Sequence, residues 1–443
     1  MSEKLWGGRF KKKIDLDFYK FQKSIEYDYK LAKYDLVHSL IHIKVLCAAG
    51  VLSRSEMIEL RKAIMEIKKD LEDNKTYKYN PDSEDIHTDI HNKVAQKYPA
   101  LADKLHTLRS RNDQVAFDEQ YYCLDKSNEL IHAIKDVLQK NLSGLAVQYK
   151  NQRFIGYTHT QRAQVVEFKD YIGAFMQMFA RDQLRLQAFF NNLYAYIGAG
   201  ALAGTSLEKE DYGKAVKDDK SLQDFPSAKI KPVKNTLDNV SGRDFIVEFL
   251  SILSIVQMHL SRLAEDFILY STKEFNYIEL PEEFCTGSSL MPHKKNPDFL
   301  ELVRGNTGKV YGNLISVLTT MKGLPLTYNR DMQLDKEPLF SSVETVKNEL
   351  KIMARFIKGI KLNKKVIDNV IKEDIALYAT AIAEYLVRQG KVPFKKAHDI
   401  VGRLTRYIED IEIRGLKHEI TDVKLRSFHP MITKKIINKI MRK

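Results

Sequence analysis

The chain has 443 residues, 44% of them hydrophobic and 29% charged, with a formal net charge of +13. That length is ample for a large buried core and for two or three domains, and the composition is that of a soluble globular protein. The basic excess is interspersed with acids, as on solvated helix faces, and only residues 431–443 form an acid-free basic cluster, so dedicated nucleic-acid binding is not expected. Residues 1–10 hold no apolar secretory core, and the most apolar helix-like segment, residues 249–261, is too short to span a bilayer, so no membrane partner is expected. Cys47, Cys123 and Cys285 show neither a paired framework nor metal spacing, which fits a reducing, cytoplasmic setting.

In chain order, His38 and His42, then His87 and His91, stand four apart, a spacing that can place two ligands on one helix face. No third ligand follows at a recognisable offset, so no metal is expected. Residues 113–147 carry a first long helix. His159 sits in a small-residue turn that leads into a helix expected from about Gln161. Phe168, Ile172, Phe175, Phe179 and Leu186 mark a second long helix, and Phe245, Phe249, Leu253, Val256, Leu260, Leu263 and Phe267 mark a third at spacings of three and four. A fourth helix follows Pro297 and a fifth begins near Pro338. Strand alternation with hairpin turns is nearly absent, and no repeat or low-complexity linker is visible. The expected fold is all-α, and helices of this length with an apolar stripe need partners on more than one side.

Residues 287–298, GSSLMPHKKNPD, are the most informative stretch. Gly287, Ser288 and Ser289 let the backbone bend tightly and turn N–H groups toward an anion. Lys294 and Lys295 add point charges. Asn296 is a good N-cap, with Pro297 at the first helical position. The loop therefore delivers polar groups to a helix N-terminus, where carboxylates and phosphates are favoured. On spacing alone it also reads as a polar loop capping a helix.

This run resembles the Gly-Ser-Ser-x-Met-Pro-x-Lys-x-Asn-Pro signature of the fumarase/aspartase superfamily. LWGGRF (5–10), HTLRSRNDQ (106–114), GYTHTQRAQ (156–164) and GLPLTYNRDMQLDKEPLF (323–340) are similar to segments of the argininosuccinate lyases within it. The resemblance implies β-elimination of argininosuccinate to arginine and fumarate, with no cofactor. It implies a homotetramer with a many-helix bundle shared between subunits and active sites at subunit interfaces. The domains would be an N-terminal helical one (1–110), a long-helix one (111–356) and a small C-terminal one (357–443).

By the same resemblance Ser288 is the base, helped by loop N–H groups and Lys294, with Ser289 its near neighbour in a one-residue frame. His159 is the second catalytic residue, oriented by Glu301, its role open between acid, base and binder. Ser24, Asp85, His87, Arg111, Asn112, Thr158, Asn296, Tyr328, Gln333 and Lys336 align with substrate-binding positions, and Arg111 has the guanidinium fork that suits a carboxylate. Leu108, Val165 and His91 depart from the usual residues at their positions. The nearest rival is another fumarate-releasing enzyme such as adenylosuccinate lyase, which the segments at 6–10 and 109–113 argue against. A crystallin-like structural homologue is the other alternative, and the presence of Ser288, His159, Thr158 and Lys294 argues against it.

Overall fold

The computed structural model describes residues 12, 14–74, 76–217, 229–414 and 420–442. Helices dominate. Those used below are α1 (Ala32–Ala48), α2 (Arg54–Asn74), α3 (Ile86–Lys97), α4 (Arg111–Lys135), α5 (Phe168–Asn192), α6 (Asp244–Ser271), α7 (Asp298–Met321), α8 (Lys336–Lys358), α9 (Ala379–Gly390) and α10 (Phe394–Ile413). The chain divides into two compact units. The first comprises Met1–Ile134, Arg181–Met258 and Gly305–Glu349, and the second Lys135–Ala180, His259–Arg304 and Leu350–Lys443.

In the first unit α1 packs against α2 and α3 and is buried on nearly every side. Its apolar side chains Leu36, Val37, Leu40 and Ile41 are joined in the interior by Asp35, His38 and His42. The same holds for α4, where Asp113, Gln114, Asp118 and Glu119 lie buried among Phe117, Tyr121 and Tyr122. A helix buried all round must satisfy its polar side chains inside the protein, because an unpaired buried polar group costs about 1–3 kcal/mol. These helices meet that demand in part, by pairing charged residues far apart in sequence, and Asp118 is an exception.

Glu349 on α8 shows the energetic side of such burial. Its carboxylate accepts from Gln257 Nε2 at 2.5 Å and Asn306 Nδ2 at 2.8 Å, with no cation bonded to it among the described residues. Burial pushes its pKa up to about 7, the two amide bonds pulling less strongly the other way. A carboxyl raised from an ordinary value near 4.5 carries no penalty below that pH, where both states are protonated. Between 4.5 and about 7 the unfolded chain ionises and the native one does not, so stability is lost as pH rises. Glu349→Gln removes that loss and gains about 1–3 kcal/mol at pH 8 and little at pH 4.5. Chemical denaturation across this range checks it; a variant difference that stays flat with pH contradicts it.

The second unit departs from the expected all-helical pattern at one place that matters. The helix expected from about Gln161 is instead strand β2 (Gln161–Glu167), paired antiparallel with β1 (Arg153–Thr158), and α5 starts only at Phe168. Gly156 sits at an irregularity in the register, where a Cβ would come within 3.1 Å of the Val166 side chain. The hairpin is fixed to helices by aromatic contacts: Phe154 lies 5.3 Å from Phe168, 5.2 Å from Tyr270 and 5.8 Å from Tyr277 between ring centres. Burial of Phe154 and Ile155 side by side, both fully buried, breaks the simple alternation that marks a strand in sequence.

Helix α6 is longer than the apolar run suggests. Its 28 residues include a window apolar enough to cross a membrane by length and composition, yet 61% of that window is buried inside the protein. Phe249, Leu253, Val256, Leu260 and Phe267 form its buried stripe, as their spacing predicts. Helix α7 behaves differently. Leu300, Val303, Val310 and Val317 are buried, but Leu302, Tyr311, Ile315 and Leu318 are exposed.

Candidate active site

The signature loop in the second unit is a closed ring rather than a free strap. Thr286 and Asn296 form an antiparallel bridge, with N–H···O distances of 3.2 and 2.8 Å, and Thr286 Oγ1 donates to Asp298 at 2.6 Å. This corrects one expectation: Asn296 closes the neck of the loop instead of capping the helix, and α7 begins at Asp298. Phe284 and Phe299, at the two feet of the loop, both pack on Phe356 at 5.6 Å.

Inside the ring the Ser288 Oγ accepts from the N–H of Leu290 at 3.3 Å and of Met291 at 3.0 Å. Two N–H dipoles aimed at one hydroxyl oxygen form a turn, and they also favour negative charge on that oxygen. Ser289, Leu290, His293 and Lys294 are exposed, and among the described residues no hydrogen bond or ion pair holds the Lys294 ammonium. Asn296 Nδ2 reaches the Gly287 carbonyl at 3.4 Å, and Lys295 Nζ the Leu280 carbonyl at 2.7 Å. Glu301 is exposed one turn into α7.

His159 and Thr160 are the two central residues of the β1–β2 turn, closed by the Thr158–Gln161 pair. Both have positive φ, 53° and 58°, the pattern of a type I′ turn, which ordinarily uses Asn and Gly. A β-branched threonine in this region is an outlier, and strain of this kind concentrates at functional sites. The turn presents Thr158 and His159 to solvent. Below it, Tyr157 and Tyr277 share a 2.8 Å hydroxyl contact and Arg162 pairs with Asp374 at 3.1 Å.

The first unit holds most of the remaining residues. Ser24 Oγ donates to Asp28 at 2.6 Å, and the Ser24 N–H donates to the Glu84 carbonyl. Asp85 caps α3 through the Thr88 N–H at 2.8 Å and pairs with Arg111 Nε at 3.1 Å. Burial works against the Asp85 charge, but Arg111 and the helix N-terminus hold its carboxyl below the usual range, while burial and Asp85 together push Asp28 up. Gln333 Nε2 lies near the Gln22 carbonyl and Tyr27 hydroxyl, and Arg330 donates to the same carbonyl at 3.0 Å. Asn112 Nδ2 donates to the Ala201 carbonyl, and Tyr328 follows Thr327, which has φ 74°.

Three of the aligned residues, Ser24, His87 and Lys336, are buried. His87 faces inward, its Nδ1 at 3.0 Å from Asp35. Lys336 is held by Glu119 at 2.7 Å and Asp335 at 3.1 Å. Burial opposes the lysine's charge, and the two acids outweigh it, so its pKa is raised. Arg243, fully buried, completes a quartet by meeting Glu119 at 2.9 Å and Asp335 at 2.8 Å. Sequence reasoning passed over Glu119, Arg243, Asp335 and Asp28. The only available signal was a charged residue where the helical period calls for an apolar one.

The three unusual positions also acquire physical content. Leu108 has φ 58°, where glycine is free and leucine costs about 1 kcal/mol. Val165 pairs with Ile155 in the hairpin, and His91 packs at a tilt against His106, 5.1 Å between ring centres.

Comparison with known proteins adds a second line. A family model described as "Lyase" matches residues 8–312, and one described as "Argininosuccinate lyase C-terminal" matches residues 376–442. The chain is 44% identical over 441 residues to an argininosuccinate lyase of Caldanaerobacter subterraneus subsp. tengcongensis, covering 99% of this chain and 96% of that protein. It is 44% identical over 411 residues to an argininosuccinate lyase of Clostridium kluyveri, covering 92% and 90%. Among solved structures it is similar to an EDDS lyase variant with bound fumarate, at TM-score 0.75 and 20% identity over 96% of this chain and 82% of that one. It is also similar to 3-carboxy-cis,cis-muconate lactonizing enzyme from Pseudomonas putida, at TM-score 0.73 and 16% identity over 96% and 94%.

Proposed function

The chain belongs to the argininosuccinate lyase family, and from that premise we propose how its residues divide the work of releasing fumarate. The reaction is the β-elimination of argininosuccinate to arginine and fumarate, in arginine biosynthesis. The proton removed sits on carbon beside a carboxylate, so its loss creates a doubly charged aci-carboxylate that needs pre-oriented positive groups. The observation that carries the reading is the Ser288 hydroxyl, which receives two loop N–H groups on an exposed, pre-closed ring.

In this reading Ser288 takes the proton, its alkoxide held by the N–H groups of Leu290 and Met291 and by Lys294 once substrate expels water. The carboxylates of the substrate meet Lys294, Asn296, Arg111 and Asn112. Ser24, Asp85, His87, Thr158, Tyr328, Gln333 and Lys336 position the rest, with His87 and Lys336 acting from their buried places. His159, oriented by Glu301, is the second catalytic residue. Fumarate absorbance tests the assignment: release with argininosuccinate and not with adenylosuccinate is expected, and the reverse overturns it.

We further infer that the working form is a cytoplasmic homotetramer whose sites are completed between copies, built from segments 1–110, 111–356 and 357–443. The support is α7, which leaves Leu302, Tyr311, Ile315 and Leu318 exposed while its other stripe is buried; a second copy is the natural cover for such a face. Inactive His159→Asn protein mixed with inactive Ser288→Ala protein then regains activity, at most roughly a quarter of the parental level if subunits combine at random. Proven subunit exchange with no return of activity rules out sites shared in this way.

A further inference from the structure

We propose that Asp35, His87 and Asp118, on α1, α3 and α4, form a structural binding site for one divalent transition-metal ion of the Zn2+ or Mn2+ class. The three side chains are buried, and one donor atom from each lies within 4.8 Å of the others. His87 Nδ1 stands 3.0 Å from Asp35 Oδ1 and 3.7 Å from Asp118 Oδ2. Ligands bound at about 2.0–2.2 Å to a common ion are themselves roughly 3–4 Å apart, so this spacing is that of a coordination shell.

The independent observation is Asp118. It is completely buried, and neither of its carboxylate oxygens has a hydrogen-bond partner among the described residues. The nearby guanidinium does not serve it: Arg109 spends its bonds on His38 Nδ1, Ser39 Oγ and His106 Nδ1. Gln114 Nε2 donates to Asp35 at 2.7 Å and lies 3.3 Å from His87 Nδ1. Half a turn of that amide offers its oxygen to the same point as a fourth ligand. One imidazole with carboxylate and amide oxygens suits Zn2+ or Mn2+.

The site differs from the one that helical spacing suggests. His91, four residues from His87, packs at a tilt against His106 and is not part of this group. Its ligands come from three helices, and joining them would stiffen α3 next to the Asp85–Arg111 pair. The proposal shares His87 with the substrate-positioning set but does not depend on the roles given to Ser288, Lys294 and His159.

The test is metal content and thermal unfolding of the full-length protein. The protein is produced in medium supplied with Zn2+ or Mn2+ and gel-filtered in chelator-containing buffer. The wild type is expected to retain about one equivalent per chain, and Asp118→Asn below about a tenth, with a lower melting temperature than the loaded parent. A wild type without either metal, and with a melting temperature unmoved by Zn2+, Mn2+ or chelator, overturns the proposal. So does an Asp118→Asn protein that keeps the parental metal. An Asp118→Asn protein more stable than the parent also overturns it, because it identifies Asp118 as a neutral buried acid. If Asp118→Asn does not fold, the wild-type metal content and the Asp35→Asn variant decide.

Discussion

Replacing Ser288 by alanine is expected to lower turnover roughly a thousandfold, the scale of a lost general base, while KM changes only a few fold. The split follows from the geometry. The Ser288 oxygen is the acceptor for the Leu290 and Met291 N–H groups, which hold it as the base, and its bond to the proton forms only as that proton leaves carbon. Lys294→Ala should raise KM and lower turnover together, because its charge also meets the ground-state carboxylate. If Ser288 serves only to cap the turn, the alanine protein loses stability and keeps its rate. Steady-state kinetics beside a thermal melt separates the two. Turnover within a few fold of the parent removes the base assignment and moves attention to Ser289 or His159.

Arg243→Met is expected to cost about 3–5 kcal/mol of stability, the penalty for leaving a buried acid without its partner. Arg243 and Lys336 balance Glu119 and Asp335 in a pocket with almost no solvent contact. Removing the guanidinium leaves two acids to one ammonium. Adding Glu119→Gln to Arg243→Met restores a one-to-one balance between Asp335 and Lys336, so the double variant should recover part of the loss. Urea unfolding of the four proteins in the cycle measures this coupling. A single variant within 1 kcal/mol of the parent, or a double variant that sums the two single losses, contradicts the charge-balance account.

The long helices were legible because each carries an apolar stripe at spacings of three and four, as Phe245 to Phe267 does on α6. The hairpin was not, because Gln161, Arg162 and Gln164 look like a polar helix start and the adjacent Phe154 and Ile155 are both buried. What fixes it is the aromatic cluster from α5 and α6, a tertiary cause with no local sign. The signature loop announced itself because its small residues, lysines and helix start are consecutive. Asn296 was misplaced by a single step, since the bridge to Thr286 competes with helix capping for the same residue. Glu119, Arg243 and Asp335 stayed invisible for the opposite reason: their partners are remote in sequence, and a lone charge on a helix says nothing about what it will meet.

The left-handed turn at His159 and Thr160 has an evolutionary consequence. Glycine or asparagine would relax position 159, and each of them deletes the imidazole, so selection for stability and selection for chemistry oppose one another there. Position 160 carries no such opposition. A Thr160→Gly change relieves a β-branched residue at φ 58° and gives up only the 2.6 Å bond from its hydroxyl to the His159 carbonyl. The two neighbours therefore stand under unequal constraint: glycine can relax the second without touching the imidazole, while the first is held in a conformation that its own side chain disfavours.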